Sequence, residues 1–167
     1  MVMIMTKKDK VTELMKTFCS DALRELNSYD TKLRNRIVKG YELSKNFYQK
    51  YPKGLYIYSI TEPIIKWIIY TNLIDKYCML PEHKTSNGKF LDLALYSKSK
   101  PCIDKHSPDI AIEMKWVSFK KNGTISENYR KGMVDDAIKL HKLGSEYDYK
   151  YIMQFAVLNE NHYRCNW

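Results

Sequence analysis

The sequence lacks the features that mark fibrous, disordered and membrane-spanning chains. Six glycines and five prolines make only 11 of its 167 residues, so long structureless linkers are not expected. No stretch approaches 18 uncharged apolar residues, and no membrane-spanning helix is therefore predicted. Residues 1–8 place a short apolar run before their positive charges, which is the reverse of a signal peptide, and we expect none.

Cysteine is also sparse and shows no recognisable pattern. Cys19, Cys78, Cys102 and Cys165 include no Cys-x-x-Cys pair, and their spacing fits no zinc ribbon. The pattern predicts reduced thiols and a cytoplasmic protein.

Positive charge is what the sequence has in excess. Lys and Arg number 28 against 19 Asp and Glu, which gives a net charge of +9. This balance favours a polyanionic partner such as nucleic acid, although a solvated lysine-rich surface gives the same count. The length and the 44% apolar content are those of a globular domain that can bury its own core.

Hydrophobic spacing predicts an α/β protein. Apolar residues in steps of three and four predict helices over residues 9–28 and 31–51, separated by a break at 27–30, and a third helix over 59–77. The rest of the chain predicts strands and one further helix, in the order strand 78–84, strand 89–96, strand 109–119, helix 127–143 and strand 149–158. The predicted organisation is an N-terminal helical extension over 1–57 and an α-β-β-β-α-β core over 58–167.

The strand that contains Glu113 and Lys115 carries the most informative residues. Alternation along it places Ile110, Ile112, Met114 and Trp116 toward the core, and Glu113 and Lys115 together on the other face. If this strand pairs antiparallel with the preceding one about residues 102–103, Asp92 lies across from Glu113. Two carboxylates then converge beside a lysine, and carboxylates so placed can hold a divalent cation.

These residues resemble a known nuclease motif. Asp92, followed by Glu113-Met114-Lys115 and preceded by a helix with Glu62 near its start, resembles the PD-(D/E)xK nuclease superfamily, over residues 59–158. The resemblance implies a restriction-endonuclease-like core and a metal-dependent nuclease acting on DNA. Many nucleases of this fold act as pairs, so a homodimer is possible, although no dimer face can be identified from the sequence.

The resemblance also implies roles for individual residues. Asp92, Glu113 and the main-chain carbonyl of Met114 would hold Mg²⁺ or Mn²⁺, with Glu62 as a further catalytic acid. Lys115 would stabilise charge on the scissile phosphate or orient the attacking water. On the following helix, the candidate phosphate contacts are Arg130, Lys131 and Lys139.

Each assignment has a simpler alternative. Asp109 could replace Asp92, but four strand residues span about 13 Å, too far for Asp109 and Glu113 to share one ion. Glu62 fits a capping box with Ser59, and Glu113 and Lys115 could form an ordinary ion pair. At the level of function, the alternatives are a catalytically inactive nuclease-fold protein that binds nucleic acid or a protein partner, and a basic helical adaptor.

Overall fold

The computed structural model describes residues 6–43, 62–97, 107–117, 125, 127–159 and 162–166. The helices are α1 (Lys7–Leu43), α2 (Glu62–Leu73) and α3 (Glu127–His141). The strands are β1 (Met79–Lys84), β2 (Phe90–Leu95), β3 (Ile110–Val117), β4 (Tyr149–Asn159) and β5 (His162–Asn166). From α2 to β4 the order is the predicted α-β-β-β-α-β. Strand β5 was not predicted, because only two of its five residues, Tyr163 and Cys165, are apolar.

The strands form one mixed sheet in the order β1-β2-β3-β4-β5. Strand β4 runs parallel to β3, and the other neighbours are antiparallel. Helix α3 makes the crossover that a parallel pair requires. Helices α1 and α2 pack on one face of the sheet, whereas α3 covers the other through Leu140. The prediction of an α/β protein with a mixed sheet flanked by helices is confirmed. The predicted boundary at residues 57/58 lies outside the described residues.

Helix α1 is continuous through the predicted break, so that prediction is wrong. Residues 27–30 include no glycine or proline, and each costs only about 0.7 kcal/mol or less relative to alanine in a helix. Two contacts support the helix here: Thr31 Oγ1 donates a hydrogen bond to the Asn27 carbonyl at 2.9 Å, and the Tyr29 ring packs edge-on to Trp67 of α2. The predicted second helix beyond residue 43 lies outside the described residues.

An apolar stripe attaches α1 to the sheet and to α2. Its members are all buried at 1% exposure or less: Val11, Met15, Phe18, Ala22 and Leu26. Beside this stripe, the buried carboxylate of Asp21 accepts hydrogen bonds from Lys76 and from Tyr77 Oη, which lie between α2 and β1. Burial favours a higher pKa for Asp21, but these hydrogen bonds outweigh it and lower the pKa below 3.8.

We expect Asp21→Ala to destabilise the protein by about 1–3 kcal/mol, because it leaves the buried Tyr77 hydroxyl without this acceptor. Glu13→Ala is the matched control, since Glu13 is an exposed acid on the same helix. Urea unfolding of the two variants measures the difference.

The effect of Asp21 should depend on pH. Because its folded-state pKa is lowered, the carboxylate stabilises the fold above about pH 4, and this contribution is lost as the pH falls through the folded-state pKa. The gap between wild type and Asp21→Ala should therefore narrow in acid. An equal gap at pH 7 and pH 2.5 would contradict the role of the ionised carboxylate.

Two sequence-based expectations concern cysteines and membranes. Cys19 is a buried free thiol, but Cys78 is disulfide-bonded to a partner outside the described side chains, so the prediction of four reduced thiols is wrong for Cys78. Spacing along the sequence does not reveal which cysteines the fold brings together. Within the described residues, no helix combines the length and the apolar character needed to cross a bilayer.

Candidate functional site

The pairing of β2 with β3 brings Asp92 next to Glu113. The paired residues are Leu95 with Ile110, Ala94 with Ala111 and Leu93 with Ile112, which is the predicted register. Asp92 and Glu113 occupy the next position, beyond the last pair. There Asp92 Oδ2 accepts a hydrogen bond from the Met114 N–H at 2.7 Å. A carboxylate thus takes the place of a main-chain acceptor at this end of the two strands.

The backbone of the neighbouring strand is irregular at the same level. Pro81 of β1 pairs with Leu93 of β2, and His83 pairs with Leu91. Glu82, which lies between Pro81 and His83, has a positive φ of 48°. Leu91 packs with Ala94 on the α3 side of the sheet. Regular alternation along β2 predicts that Leu91 shares a face with Leu93 and Leu95. This prediction is wrong, because those two residues pack on the α1 and α2 side of the sheet and Leu91 packs on the other.

Glu113 is a buried carboxylate at 2% exposure. Its Oε1 lies 2.6 Å from Nζ of Lys139, which reaches it from α3. Burial raises the pKa of Glu113 to about 7; Lys139 opposes the rise, and the negative charges of Asp92 and Asp136 add to it. The site therefore holds carboxylates that repel one another in a poorly solvated environment.

Lys115, two residues further along β3, is directed toward α3. Its Nζ lies 3.1 Å from Oδ2 of Asp136. Burial favours a lower pKa for Lys115, but the Asp136 hydrogen bond and the charges of Glu62, Asp136 and Asp92 outweigh it and raise the pKa above 10.5. Lys115 is therefore a positive charge whose position is fixed by a carboxylate.

Helix α2 contributes Glu62 and Lys66, which are one turn apart. Glu62 Oε2 accepts a long hydrogen bond, 3.4 Å, from the Trp116 N–H of β3. Lys66 Nζ lies 3.3 Å from Glu62 Oε1 and 2.5 Å from Asp92 Oδ1, so one ammonium bridges two carboxylates. In addition, Tyr70 Oη donates to the Asp92 carbonyl at 2.5 Å. The Ser59 half of the alternative capping box lies outside the described residues.

The remaining candidates lie elsewhere or have a different environment from the predicted one. Asp109 accepts hydrogen bonds from the Ser97 N–H and hydroxyl, at the end of β3 away from Glu113. Arg130 and Lys131 are exposed on α3, as a phosphate-contacting role requires. Lys139, predicted with them as a phosphate contact, instead turns inward to Glu113.

Five predicted residues and two others thus form one group, here called the carboxylate–lysine cluster: Glu62, Lys66, Asp92, Glu113, Lys115, Asp136 and Lys139. Lys66 and Asp136 were missed. Lys66 stands four residues after Glu62, the spacing of a helical ion pair. Asp136 shares the inward stripe of α3 with Met133 and Leu140, and an acid on such a stripe is a signal for a functional group.

The donor chemistry fits a hard divalent cation. Asp92 and Glu113 supply carboxylate oxygens, and the Met114 carbonyl faces Asp92, because the N–H and C=O of one strand residue point toward the same neighbouring strand. A cation would also relieve the repulsion between these carboxylates, which adds to burial in raising the pKa of Glu113. Among the described residues, however, no three His, Cys, Asp or Glu side chains form a ready-made metal group. Lys66 and Lys139 contact these carboxylates, so a cation would have to displace them.

Comparisons of the chain with protein-family models, with curated proteins and with solved structures find no match. Functional inference therefore depends on the chemistry of the cluster itself. It contains four carboxylates and three ammonium groups at one end of β2 and β3. Such a group can bind a cation through its acids and an anion through its lysines.

Proposed function

We propose that the chain is a magnesium-dependent nuclease with a restriction-endonuclease-like core, hydrolysing phosphodiester bonds in DNA. The observation that carries the proposal is the convergence of Asp92 and Glu113 from facing strands. Lys115 lies beside them on β3, and Glu62 reaches β3 from α2. These are the four positions that the PD-(D/E)xK resemblance assigns to catalysis. The net charge of +9 supports a polyanionic substrate.

Asp92, Glu113 and the Met114 carbonyl would hold Mg²⁺ or Mn²⁺, with Glu62 as a further acid. The bound ion would supply Lewis-acid stabilisation of the phosphate. Lys115 places an ammonium next to the scissile phosphate, where it stabilises developing charge or orients the attacking water. Asp136 fixes the direction of Lys115 through its ion pair. Hydrolysis follows from in-line attack of water on phosphorus, with no covalent enzyme intermediate.

The outer face of α3 would contribute to substrate binding. Arg130 and Lys131 are exposed there and would contact phosphates that flank the cleaved bond. Such contacts release counterions, and affinity for nucleic acid should therefore fall with added salt.

We expect cleavage of DNA in Mg²⁺ or Mn²⁺ and none in excess chelator, because oxygen ligands favour these hard ions over Zn²⁺. The measurement is a screen of labelled single strands, duplexes and branched substrates, in DNA and in RNA, with each metal and with chelator. Re-addition of Mg²⁺ after chelation is the control for irreversible loss. Full activity in excess chelator would contradict the proposal.

The alternative is a protein that keeps this arrangement without turnover and only binds nucleic acid or a protein partner. One observation favours it: Lys66, Lys115 and Lys139 each already contact a carboxylate, as in a purely structural ion-pair network. Such a protein would bind DNA equally with Mg²⁺ or chelator and leave every substrate intact. The same screen therefore separates the two functions.

A further inference from the structure

A cavity of about 510 Å³ lies between the turn that joins β1 to β2 and the second half of α3. Its volume falls within the range of roughly 300–1,000 Å³ that is typical of small-ligand sites. The apolar part of its wall comes from Phe90, the first residue of β2, and from Ile138 of α3. Both side chains are about half exposed, at 54% and 47%, so an aromatic ring is available to a ligand.

The charged part of the wall is mostly positive. Three lysines line the cavity, Lys89, Lys139 and Lys142, against one carboxylate, Asp135, and of the three the Lys139 ammonium is paired with Glu113. Ammonium groups around an exposed aromatic ring match a nucleotide, since phosphates meet the lysines while a base stacks on the ring. An apolar peptide would satisfy Phe90 and Ile138 but not the lysines.

The turn that carries Lys89 and Phe90 is held firmly. Thr85 and Lys89 are joined by a main-chain hydrogen bond of 2.8 Å, and Asn87 Oδ1 accepts from the Lys89 N–H at 3.1 Å. Ser86 donates through its N–H and its hydroxyl to the Glu146 carboxylate beyond α3. These bonds fix the turn, so the backbone that carries the ring needs little further ordering when a ligand binds.

The cavity adjoins the carboxylate–lysine cluster. Lys139 lines the cavity and its Nζ contacts Glu113 Oε1 at 2.6 Å. On the other wall, Phe90 is only two residues before Asp92 on β2. A nucleic-acid strand whose phosphate lies at the cluster would therefore have a neighbouring nucleotide at the cavity.

We propose that this cavity is a subsite for an unpaired nucleotide of single-stranded nucleic acid, with the base on Phe90 and the adjoining phosphates on Lys89 and Lys142. The inference rests on the proposed nuclease function, which places the nucleic-acid strand next to the carboxylate–lysine cluster. Its chemistry requires an unpaired nucleotide, because a base within a duplex has no free face for the ring. The preferred substrate is accordingly a single strand or a frayed end.

The test measures binding without cleavage. Fluorescence anisotropy of labelled 20-mers in chelator compares a single strand with the duplex of the same sequence, in DNA and in RNA. Phe90→Ala should weaken single-strand binding by about 5- to 100-fold, the range expected for loss of one base stack, while duplex binding changes less than about 2-fold. Phe90→Trp should retain affinity. Val134→Ala is the control, since Val134 is exposed on α3 but does not line the cavity.

Equal single-strand binding by wild type and Phe90→Ala overturns the subsite, and so does an equal loss for single strand and duplex. A wild-type chain that binds no single strand overturns it as well. If Phe90→Ala instead changes the sedimentation of the protein and not its nucleic-acid affinity, the ring serves self-association. The nuclease proposal is judged separately, by cleavage of the same oligonucleotides in Mg²⁺. If Phe90→Ala selectively loses single-strand binding and the wild-type chain cleaves no oligonucleotide, the subsite is supported and the nuclease proposal is rejected.

Discussion

Asp92→Asn is expected to lower the rate of DNA cleavage by on the order of 100-fold or more while the chain stays folded. The asparagine oxygen can still accept the Met114 N–H, so the local contact between β2 and β3 is retained. Its neutral amide cannot contribute the negative charge that holds a divalent cation. Single-turnover cleavage, Mn²⁺ binding by calorimetry and thermal unfolding should be measured on the same preparations.

Asp109→Asn is the matched control for Asp92. Asp109 is also a carboxylate next to a strand of the sheet, but its contacts are with Ser97 at the far end of β3. It should change cleavage little. If Asp109→Asn is inactive and Asp92→Asn cuts normally, the acid assignment is reversed.

Lys115→Ala should also lower single-turnover cleavage by on the order of 100-fold or more, while Mn²⁺ binding at the acids persists. An ammonium cannot ligate a cation, and its contribution is therefore to charge on the phosphate. Lys115→Arg should rescue poorly, because the planar guanidinium has a different shape and reach. Lys16→Ala, at an exposed lysine of α1, provides the control for loss of one positive charge.

Folding needs a separate check for Lys115, because its removal leaves the Asp136 carboxylate without that ion pair. Lys115→Gln keeps a hydrogen-bond donor for Asp136 and should be inactive but close to wild type in thermal unfolding. If Lys115→Ala or Lys115→Gln cuts at the wild-type rate, Lys115 is only a partner of Asp136 and the nuclease proposal loses its central residue.

The strands were predictable because their signals are local. A period of two along β3 assigned Ile112 and Met114 to the core and Glu113 to the opposite face. Asn87-Gly88, a pair typical of tight turns between antiparallel strands, connects β1 to β2. A simple antiparallel return of β3 on β2 gave the register that aligns Asp92 with Glu113. The core face and the facing acids both followed from this alternation.

The features that sequence reasoning missed depend on contacts between distant segments. Whether residues 27–30 break α1 depends on Trp67 of another helix. Leu91 packs on the α3 side of the sheet, a face that alternation along β2 alone does not assign to it. Lys139 has the sequence environment of any solvated helical lysine, and only the position of α3 over β3 directs it to Glu113.

The apolar stripe of α1 has a consequence for how the protein is made. Its residues leave the ribosome before their partners Ile68 of α2 and Phe155 of β4, which are synthesised later. The ion pair of Lys7 with Asp148 spans 141 positions of the chain and so closes only after Asp148 has been synthesised. During elongation, Met15 and Phe18 would stay uncovered, a surface on which nascent chains aggregate or recruit chaperones. Expression at low temperature, where translation is slower, should therefore raise the yield of soluble protein by more than the stability of the finished fold predicts.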